Sequence, residues 1–306
     1  MTATDNGRNA LVELSDALAA AVERAAASTV TVDARRRIAA SGIVWSADGV
    51  IVTSNHAIER DDDITVAGAG GEAVAAKLVG RDPGSDIAVL KADGGAWTPA
   101  ERVTEGEARV GHFVLALGRP GEGGPQASLG VISAVGGPWR TFRGGQVDGY
   151  IRTDATLYPG FSGGPLVDSS GRVAGMNTSG LGRGSGLTIP AWAMGKIVDA
   201  LLAGGRIKRG YLGIGSQPAN LPEALAGKLG GQRSGLLIVA VEPDSPAESA
   251  GMMLGDILVG MGPSEVTDTG DLQALLGPET VGTEVKTRVL RGGQPLDLTV
   301  TVGERE

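Results

Sequence analysis

From about residue 28 to residue 190 the chain is a succession of short apolar runs, each closed by a turn signal. The runs cover 28–32, 41–45, 50–53, 64–66, 73–78, 87–91, 113–117, 129–134, 149–154 and 173–176. Between them stand clusters such as Ala47-Asp48-Gly49, Gly68-Ala69-Gly70-Gly71 and Asp82-Pro83-Gly84. Runs of that length suit strands better than buried helices, and so many at this spacing predict a β-barrel or sandwich rather than βαβ units. Composition supports the reading. Glycine fills 51 of 306 positions without a Gly-x-y period, so its excess belongs to tight turns and not to collagen.

The two ends of this β-rich stretch read differently. Before it, Leu11, Leu14, Leu18, Val22 and Ala25 recur at helical spacing, predicting an amphipathic helix packed on the body of the protein. Glu13, Asp16, Glu23 and Arg24 interrupt any apolar core that a secretory signal would need. After it, a helix is expected over 191–202, following Pro190 and capped near Gly204-Gly205. Charged Arg206–Arg209 reads as a linker. From Tyr211 onward a smaller α+β unit is expected, with strands near 236–241, 257–261, 284–290 and 296–302. Helical stretches are expected at 221–229, 246–250 and 271–276. The division is therefore a helical segment over 1–27, a β domain over 28–203, a linker over 204–209 and a second domain over 210–306. No run of 18 uncharged apolar residues occurs, so no membrane span is expected. As written the chain is expected to be cytoplasmic, or periplasmic or extracellular if an export signal has been trimmed.

What is absent narrows the chemistry. With no cysteine there is no thiolate nucleophile, disulfide or cysteine-held metal, and His56 and His112, the only histidines, leave little room for a histidine-rich metal site. No metal or cofactor is expected. A net charge of −8 argues against non-specific nucleic-acid binding.

The most informative segment is Tyr158-Pro159-Gly160-Phe161-Ser162-Gly163-Gly164-Pro165-Leu166. A serine between glycines can sit on a tight turn with its hydroxyl exposed, and the N–H groups of Gly160 and Ser162 can point at one oxygen. Alone, the string is also compatible with an ordinary turn. A serine hydroxyl becomes a nucleophile only beside a base, most often an imidazole oriented by a carboxylate. His56 follows an apolar run in Thr53-Ser54-Asn55-His56-Ala57-Ile58, and Asp86 stands where Arg81-Asp82-Pro83-Gly84-Ser85-Asp86 runs into Ile87-Ala88-Val89-Leu90. His56, Asp86, Ser162 is the chain order of chymotrypsin-like proteases, not of α/β-hydrolases or subtilisins.

These three segments resemble those of the HtrA family of serine proteases, over about residues 28–203. The likeness continues into Arg209-Gly210-Tyr211-Leu212-Gly213-Ile214, similar to the opening of that family's PDZ domain, and into Val241–Gly251 followed by Gly255-Asp256-Ile257-Leu258. The resemblance implies a mainly β chain: a chymotrypsin-like double β-barrel with an N-terminal helix, then a smaller α+β PDZ domain. It implies Ser162 as nucleophile, His56 as general base and then acid, Asp86 as orienter of the imidazole, and the Gly160 and Ser162 amides as the oxyanion hole. Asp82, His112 and the run Asp61-Asp62-Asp63 are read as structural. The implied activity is ATP-independent endopeptidase action on unfolded or damaged polypeptides, in keeping with the lack of a Walker-type phosphate loop. Homo-oligomers, trimers by analogy, are implied as well, although no aromatic precedes Trp45 to support such contacts.

For substrate preference, Leu157 and Leu187 are assigned to the S1 pocket, with Leu181 and Thr188 as further candidates. No acidic residue stands there to select Lys or Arg, so cleavage after small or medium aliphatic residues is expected. Leu212, Gly213 and Ile214 form the candidate carboxylate loop for peptide C-termini, with Leu272, Leu275 or Leu276 opposite. Two departures from the family pattern stand out. Phe161 replaces the usual Asn, and Gly137 falls where an Arg is frequent, leaving Arg140 or Arg143 to substitute. The loss at Phe161 sustains an alternative, a catalytically weak or inactive PDZ-containing binding or chaperone protein.

Overall fold

Short strands with a turn after each bury an apolar face most completely by curling until the sheet edges meet. The computed structural model, which describes residues 10–121, 123–141, 145–181 and 186–304, has this happening twice. The chain divides between Ile207 and Lys208 into two compact units.

In the first unit, helix α1 (Ala10–Ala26) precedes strands β1 (Thr29–Asp33), β2 (Ala40–Val44), β3 (Val50–Ser54), β4 (Ile64–Ala67), β5 (Ala73–Asp82) and β6 (Ile87–Ala92). They close as a barrel in the order β1-β2-β3-β6-β5-β4, with β4 pairing back onto β1. Strands β7 (Phe113–Gly118) and β8 (Gln126–Gly136) begin a second barrel, followed by a small hairpin, β9 (Trp139–Arg140) and β10 (Gln146–Val147). Strands β11 (Tyr150–Thr153), β12 (Pro165–Asp168), β13 (Val173–Thr178) and β14 (Gly186–Pro190) complete it in the order β11-β14-β13-β12-β7-β8. Each barrel has its own filling: Val30, Val32, Ile51, Ile64 and Leu90 in the first, and Ile132, Ile151, Phe161 and Leu166 in the second. A third cluster, including Ile43, Val52, Leu117, Met176 and Ile189, joins them and receives Met194, Val198 and Leu201 of helix α2 (Ala191–Gly204). Gly205, in the left-handed region at φ 72°, ends that helix by donating to Leu201 O.

The long apolar face expected of α1 is only half used. Leu11 and Leu14 are exposed, whereas Ala21, Ala25 and Ala26 are buried. The helix meets the barrel through small residues because the backbones come close: a Cβ on Gly171 would lie 2.8 Å from Ala21 O. Strands β12 and β14 were not among the expected runs, because glycine, proline or polar residues break their apolar pattern.

The second unit is a sheet of order β16-β17-β18-β20-β21, built from β16 (Ile214–Asn220), β17 (Ser234–Val241), β18 (Ile257–Met261), β20 (Glu284–Arg291) and β21 (Gln294–Thr301). A short strand β19 (Ser264–Glu265) attaches to β18, and β15 (Gly210–Tyr211) pairs with β22 (Gly303–Glu304). Helix α3 (Glu223–Ala226) passes into a 3-10 turn at Gly227–Leu229, so the helix expected over 221–229 is cut short, ending at Gly230 with φ 68°. Helix α4 (Pro246–Ser249) is capped by the Ser245 hydroxyl, and helix α5 (Thr269–Leu275) by the Asp268 carboxylate. Leu236, Ile238, Leu258, Val289 and Val300 fill the core together with Leu272 of α5.

One ion pair in this unit is largely buried. Arg291 donates through Nε and Nη2 to Asp256, each at 2.8 Å, and the Asp256 side chain is only 2% exposed. Burial by itself raises the carboxyl pKa, but the Arg291 guanidinium and the Met253 amide outweigh it and hold it below the usual range. Removing one member leaves the other charge buried, at a cost of about 3 kcal/mol or more. Arg291→Leu is therefore expected to lower the unfolding midpoint of the second unit at neutral pH. A carboxyl with a lowered folded-state pKa contributes stability above its unfolded value of about 4, and loses it as pH falls through the folded value. The gap between variant and wild type should accordingly narrow on acidification, as thermal melts of the full chain at pH 7 and pH 3 would measure.

Candidate active site

His56 sits on a single 3-10 turn, Asn55–Ala57, that follows β3. Asp86 sits at the end of the β5–β6 loop in a left-handed conformation, φ 59°, that a residue with a side chain rarely adopts. Its reward is a complete set of partners. Asp86 O accepts from Asn55 N at 2.9 Å, Oδ1 from His56 N at 2.9 Å, and Oδ2 lies 2.7 Å from His56 Nδ1. Oδ2 also accepts from the Thr178 hydroxyl at the end of β13, in the other barrel. The aspartate is fully buried, so each of these donors offsets the loss of water. Arg81 braces the same turn from outside, donating to Asn55 Oδ1 at 2.7 Å and Ile58 O at 3.0 Å.

The neighbouring carboxylate has a different job. Asp82 accepts from the amides of Gly84 and Ser85 at 3.2 and 2.8 Å, shaping the turn that delivers Asp86. His112 lies elsewhere, in a cavity of about 370 Å³ shared with Glu107 and Arg172, and accepts from Arg109 Nε at 3.2 Å. Asp61 pairs with Arg81.

Ser162 stands on the turn before β12. Gly160 (φ 89°) and Gly163 (φ 86°) both occupy the left-handed region, and neither has room for a side chain: a Cβ would fall 2.4 Å from Pro120 Cβ at the first and 2.2 Å from Ser41 O at the second. Glycine is demanded twice over, by conformation and by crowding. Phe161 between them is fully buried in the second barrel, edge-to-face with Tyr158 at 5.4 Å. Its ring therefore anchors the turn from below and leaves the site to the backbone. The N–H groups of Gly160 and Ser162 have no hydrogen-bond partner among the described residues, while the Phe161 amide is held by Tyr158 O at 3.0 Å.

The Ser162 hydroxyl lies 3.0 Å from Ser179 Oγ, and Ser179 Oγ lies 3.3 Å from His56 Nε2. Ser162, His56 and Ser179 line one open cleft of about 450 Å³ with Leu157, Tyr158, Gly160, Arg35 and Arg37. Of the residues assigned to a specificity pocket, Leu157 lines this cleft, whereas Leu187, Leu181 and Thr188 are not among its described walls. Leu187 and Leu181 are packed into the core joining the barrels, and Thr188 is buried with its hydroxyl on Asn177 Oδ1 at 2.9 Å. Arg140 lies on β9 and Arg143 outside the described residues.

In the second unit Leu212 is buried, and Gly213 (φ 80°) is fixed by contact, a Cβ there falling 2.2 Å from Ser245 Cβ. The carbonyls of Leu212 and Gly213 accept from Ala247 N and Glu242 N, both at 2.8 Å, while their own N–H groups have no partner among the described residues. Ile214 then opens β16, which pairs on one side only, with β17. Leu272 belongs to the core, and Leu275 and Leu276 lie half-buried against it.

Comparison with known proteins agrees with this geometry. Residues 40–176 match the model of a trypsin-like peptidase domain and residues 210–302 that of a PDZ domain. The solved structure of the HtrA-type protease AlgW with a decapeptide is 30% identical, covers 94% of this chain and 99% of its own, and superposes with a TM-score of 0.76. This chain belongs to the HtrA family. A second structure, the serine endoprotease from Yersinia pestis, is 31% identical over 94% of this chain and 98% of its own, with a TM-score of 0.77. A curated relative, the probable periplasmic serine endoprotease DegP-like of Pseudomonas fluorescens, is 33% identical over 269 residues, 86% of this chain and 56% of that protein. Its counterpart in Rhizobium meliloti is 34% identical over 88% of this chain and 54% of its own length. The chain thus spans little more than half the length of the curated relatives it matches.

Three participants had no distinctive mark in the sequence: Thr178, Ser179 and Ser41. The Ser41 hydroxyl on β2 donates to Gly160 O at 2.7 Å and accepts from Arg119 N at 2.8 Å, while Ser41 N donates to Ser162 O at 3.2 Å. One buried hydroxyl thereby ties the first barrel to the serine turn. Ser41→Ala is expected to leave a buried carbonyl and amide unpaired, destabilising the first unit by about 1–3 kcal/mol. Urea unfolding followed by tryptophan fluorescence would measure it, and Ser41→Thr tests whether the hydroxyl is what matters.

Proposed function

We propose that this protein is a serine endopeptidase that works without ATP on unfolded or damaged polypeptides. Ser162 attacks the scissile carbonyl carbon, and its proton passes to His56 Nε2. Asp86 holds the imidazole by Nδ1 and stabilises the imidazolium that forms. The tetrahedral oxyanion accepts from the unclaimed amides of Gly160 and Ser162. His56 returns the proton to the leaving amine as the acyl-enzyme forms, and water then reverses the sequence to release the acid product. The observation that carries this reading is the buried Asp86 carboxylate gripping His56 at both its backbone N–H and Nδ1, within one cleft of Ser162.

The accompanying assignments follow from the same reading. Residues 28–203 are the protease domain and 210–306 the PDZ domain. An aliphatic side chain against Leu157 is the preferred residue at the cleavage point. A peptide C-terminus adds along the open edge of β16, its carboxylate held by the free amides at Leu212 and Gly213, beside Ile214. That one relative, the HtrA-type protease AlgW, has been solved with a decapeptide and, as a variant, with a tripeptide supports a peptide ligand. The family resemblance favours assembly as a homotrimer. The described helices include none long and apolar enough to cross a membrane, and the names of the curated relatives favour the periplasm over the cytoplasm as the place of work.

Wild-type protein is expected to degrade unfolded casein, and Ser162→Ala or His56→Ala to lose turnover by a factor on the order of a million. Equal inertness of wild type and Ser162→Ala, with aggregation still suppressed, would instead establish the binding-protein alternative. For the PDZ domain, a peptide with a free C-terminus should bind at least about tenfold more tightly than its amide, the loss expected when a charged acceptor is removed. Fluorescence anisotropy with the Ser162→Ala protein would measure the ratio.

A further inference from the structure

The nucleophile and the base are not bonded to each other. Among the described residues the sole hydrogen-bond partner of Ser162 Oγ is Ser179 Oγ at 3.0 Å, and Ser179 Oγ is in turn 3.3 Å from His56 Nε2. With Nδ1–H donated to Asp86, the neutral imidazole presents Nε2 as an acceptor, and the Ser179 hydroxyl meets it. The Ser179 hydroxyl therefore stands between Ser162 and its base.

Its position is set by the backbone. Thr178 is tied to Asp86, and the Gly180 amide donates to Thr178 Oγ1 at 2.9 Å. Gly180 presses so closely on the pair that a Cβ would lie 2.7 Å from both Asp86 Oδ2 and His56 Nδ1. The chain at 178–180 cannot retreat, so Ser179 is held at the cleft by its neighbours. Its own side chain is exposed and lines that cleft, whereas Ser162 is buried beneath it. Ser162 and Ser179 line the same cleft with their hydroxyls 3.0 Å apart, so a peptide laid over Ser162 passes the Ser179 hydroxyl. Rotation about one χ angle clears it, the hydroxyl exchanging protein partners for water.

We propose that Ser179 is a positioning residue that acts as a resting-state latch: its hydroxyl separates Ser162 from His56 in the free enzyme and is displaced when a peptide enters the cleft. The proposal rests on the proteolytic reading above. Because the latch is released on binding, it weighs on KM and leaves kcat unchanged. No covalent change accompanies release: the Ser162 proton simply turns from Ser179 Oγ to Nε2. Removing the latch is worth about one net hydrogen bond, a factor of roughly two to ten.

The test compares wild type, Ser179→Ala and Ser179→Thr, the last retaining a hydroxyl on the same Cβ. Each is assayed with an internally quenched peptide carrying valine at the cleavage point, and with a fluorophosphonate that labels the nucleophile of the free enzyme. Ser179→Ala should lower KM and raise the labelling rate by about two- to tenfold with kcat unchanged, while Ser179→Thr behaves as wild type and all three melt together. An unchanged KM, a shift in kcat in either direction, or a Ser179→Thr enzyme that behaves like the alanine variant overturns the latch. A fall in kcat would make Ser179 a proton relay instead. Failure of the underlying reading looks different, since wild type would then show no labelling that Ser162→Ala abolishes.

Discussion

A single buried carboxylate organises the first unit. Asp86 lies out of contact with water, and an ionised group there survives only if donors surround it. The protein supplies them from two directions: the Asn55–Ala57 turn at the end of β3 in one barrel, and Thr178 at the end of β13 in the other. The need to satisfy one charge thus helps to align two barrels that also meet through apolar side chains and through hydrogen bonds such as Ser41 Oγ to Gly160 O and Thr31 Oγ1 to Arg119 O. The left-handed backbone of Asp86 is part of the same arrangement, because it lets the carbonyl and both carboxylate oxygens face the histidine turn together. Strain in the backbone is offset by hydrogen bonds to a charge, which are among the stronger ones a protein makes.

The serine turn obeys a different constraint, that of close approach. Gly160, Gly163 and Gly164 each leave a Cβ less than 2.5 Å from a neighbouring atom, so the turn is pressed between Pro120, Ser41, Thr53 and Leu117. Gly160 and Ser162, whose amides have no hydrogen-bond partner among the described residues, both line the cleft. Phe161 reinforces the arrangement by reaching into the second barrel, where a polar side chain would have had to find partners. The departure that weakened the sequence-level case for activity is, in the folded chain, an anchor for the turn. Ser41 adds polar cross-links from the first barrel, through its hydroxyl to Gly160 O and its amide to Ser162 O.

The second unit repeats this economy on a smaller scale. Gly213 is pinned against Ser245, the capping residue of α4, and this contact turns the Leu212 and Gly213 carbonyls inward while their amides stay open. The sheet then ends on β16, an edge strand with a proline, Pro218, near its far end. An edge of this kind is a hazard if left unguarded, and proline limits pairing along it.

Short apolar runs and glycine turns, read without any structure, were enough to predict a barrel or sandwich, because strand length and turn chemistry are local properties. His56, Asp86 and Ser162 stood out as candidates for a related reason: each lies in a segment whose neighbours are restricted by the turn it makes. Strands β12 and β14 were not legible, since their residues become strand only when neighbouring strands supply partners. The same holds for Ser41, Thr178 and Ser179, ordinary hydroxyl residues whose roles depend on atoms over a hundred positions away for Ser41 and Ser179, and ninety-two for Thr178. Leu187 shows the converse, a leucine assigned to the cleft that folding places in the core, because alternation within β14 decides which face it joins. Fold class and the candidates for reactive groups follow from local pattern and chemical type. Which hydroxyls meet the imidazole is settled by folding alone, because that meeting joins two barrels and no local pattern spans them.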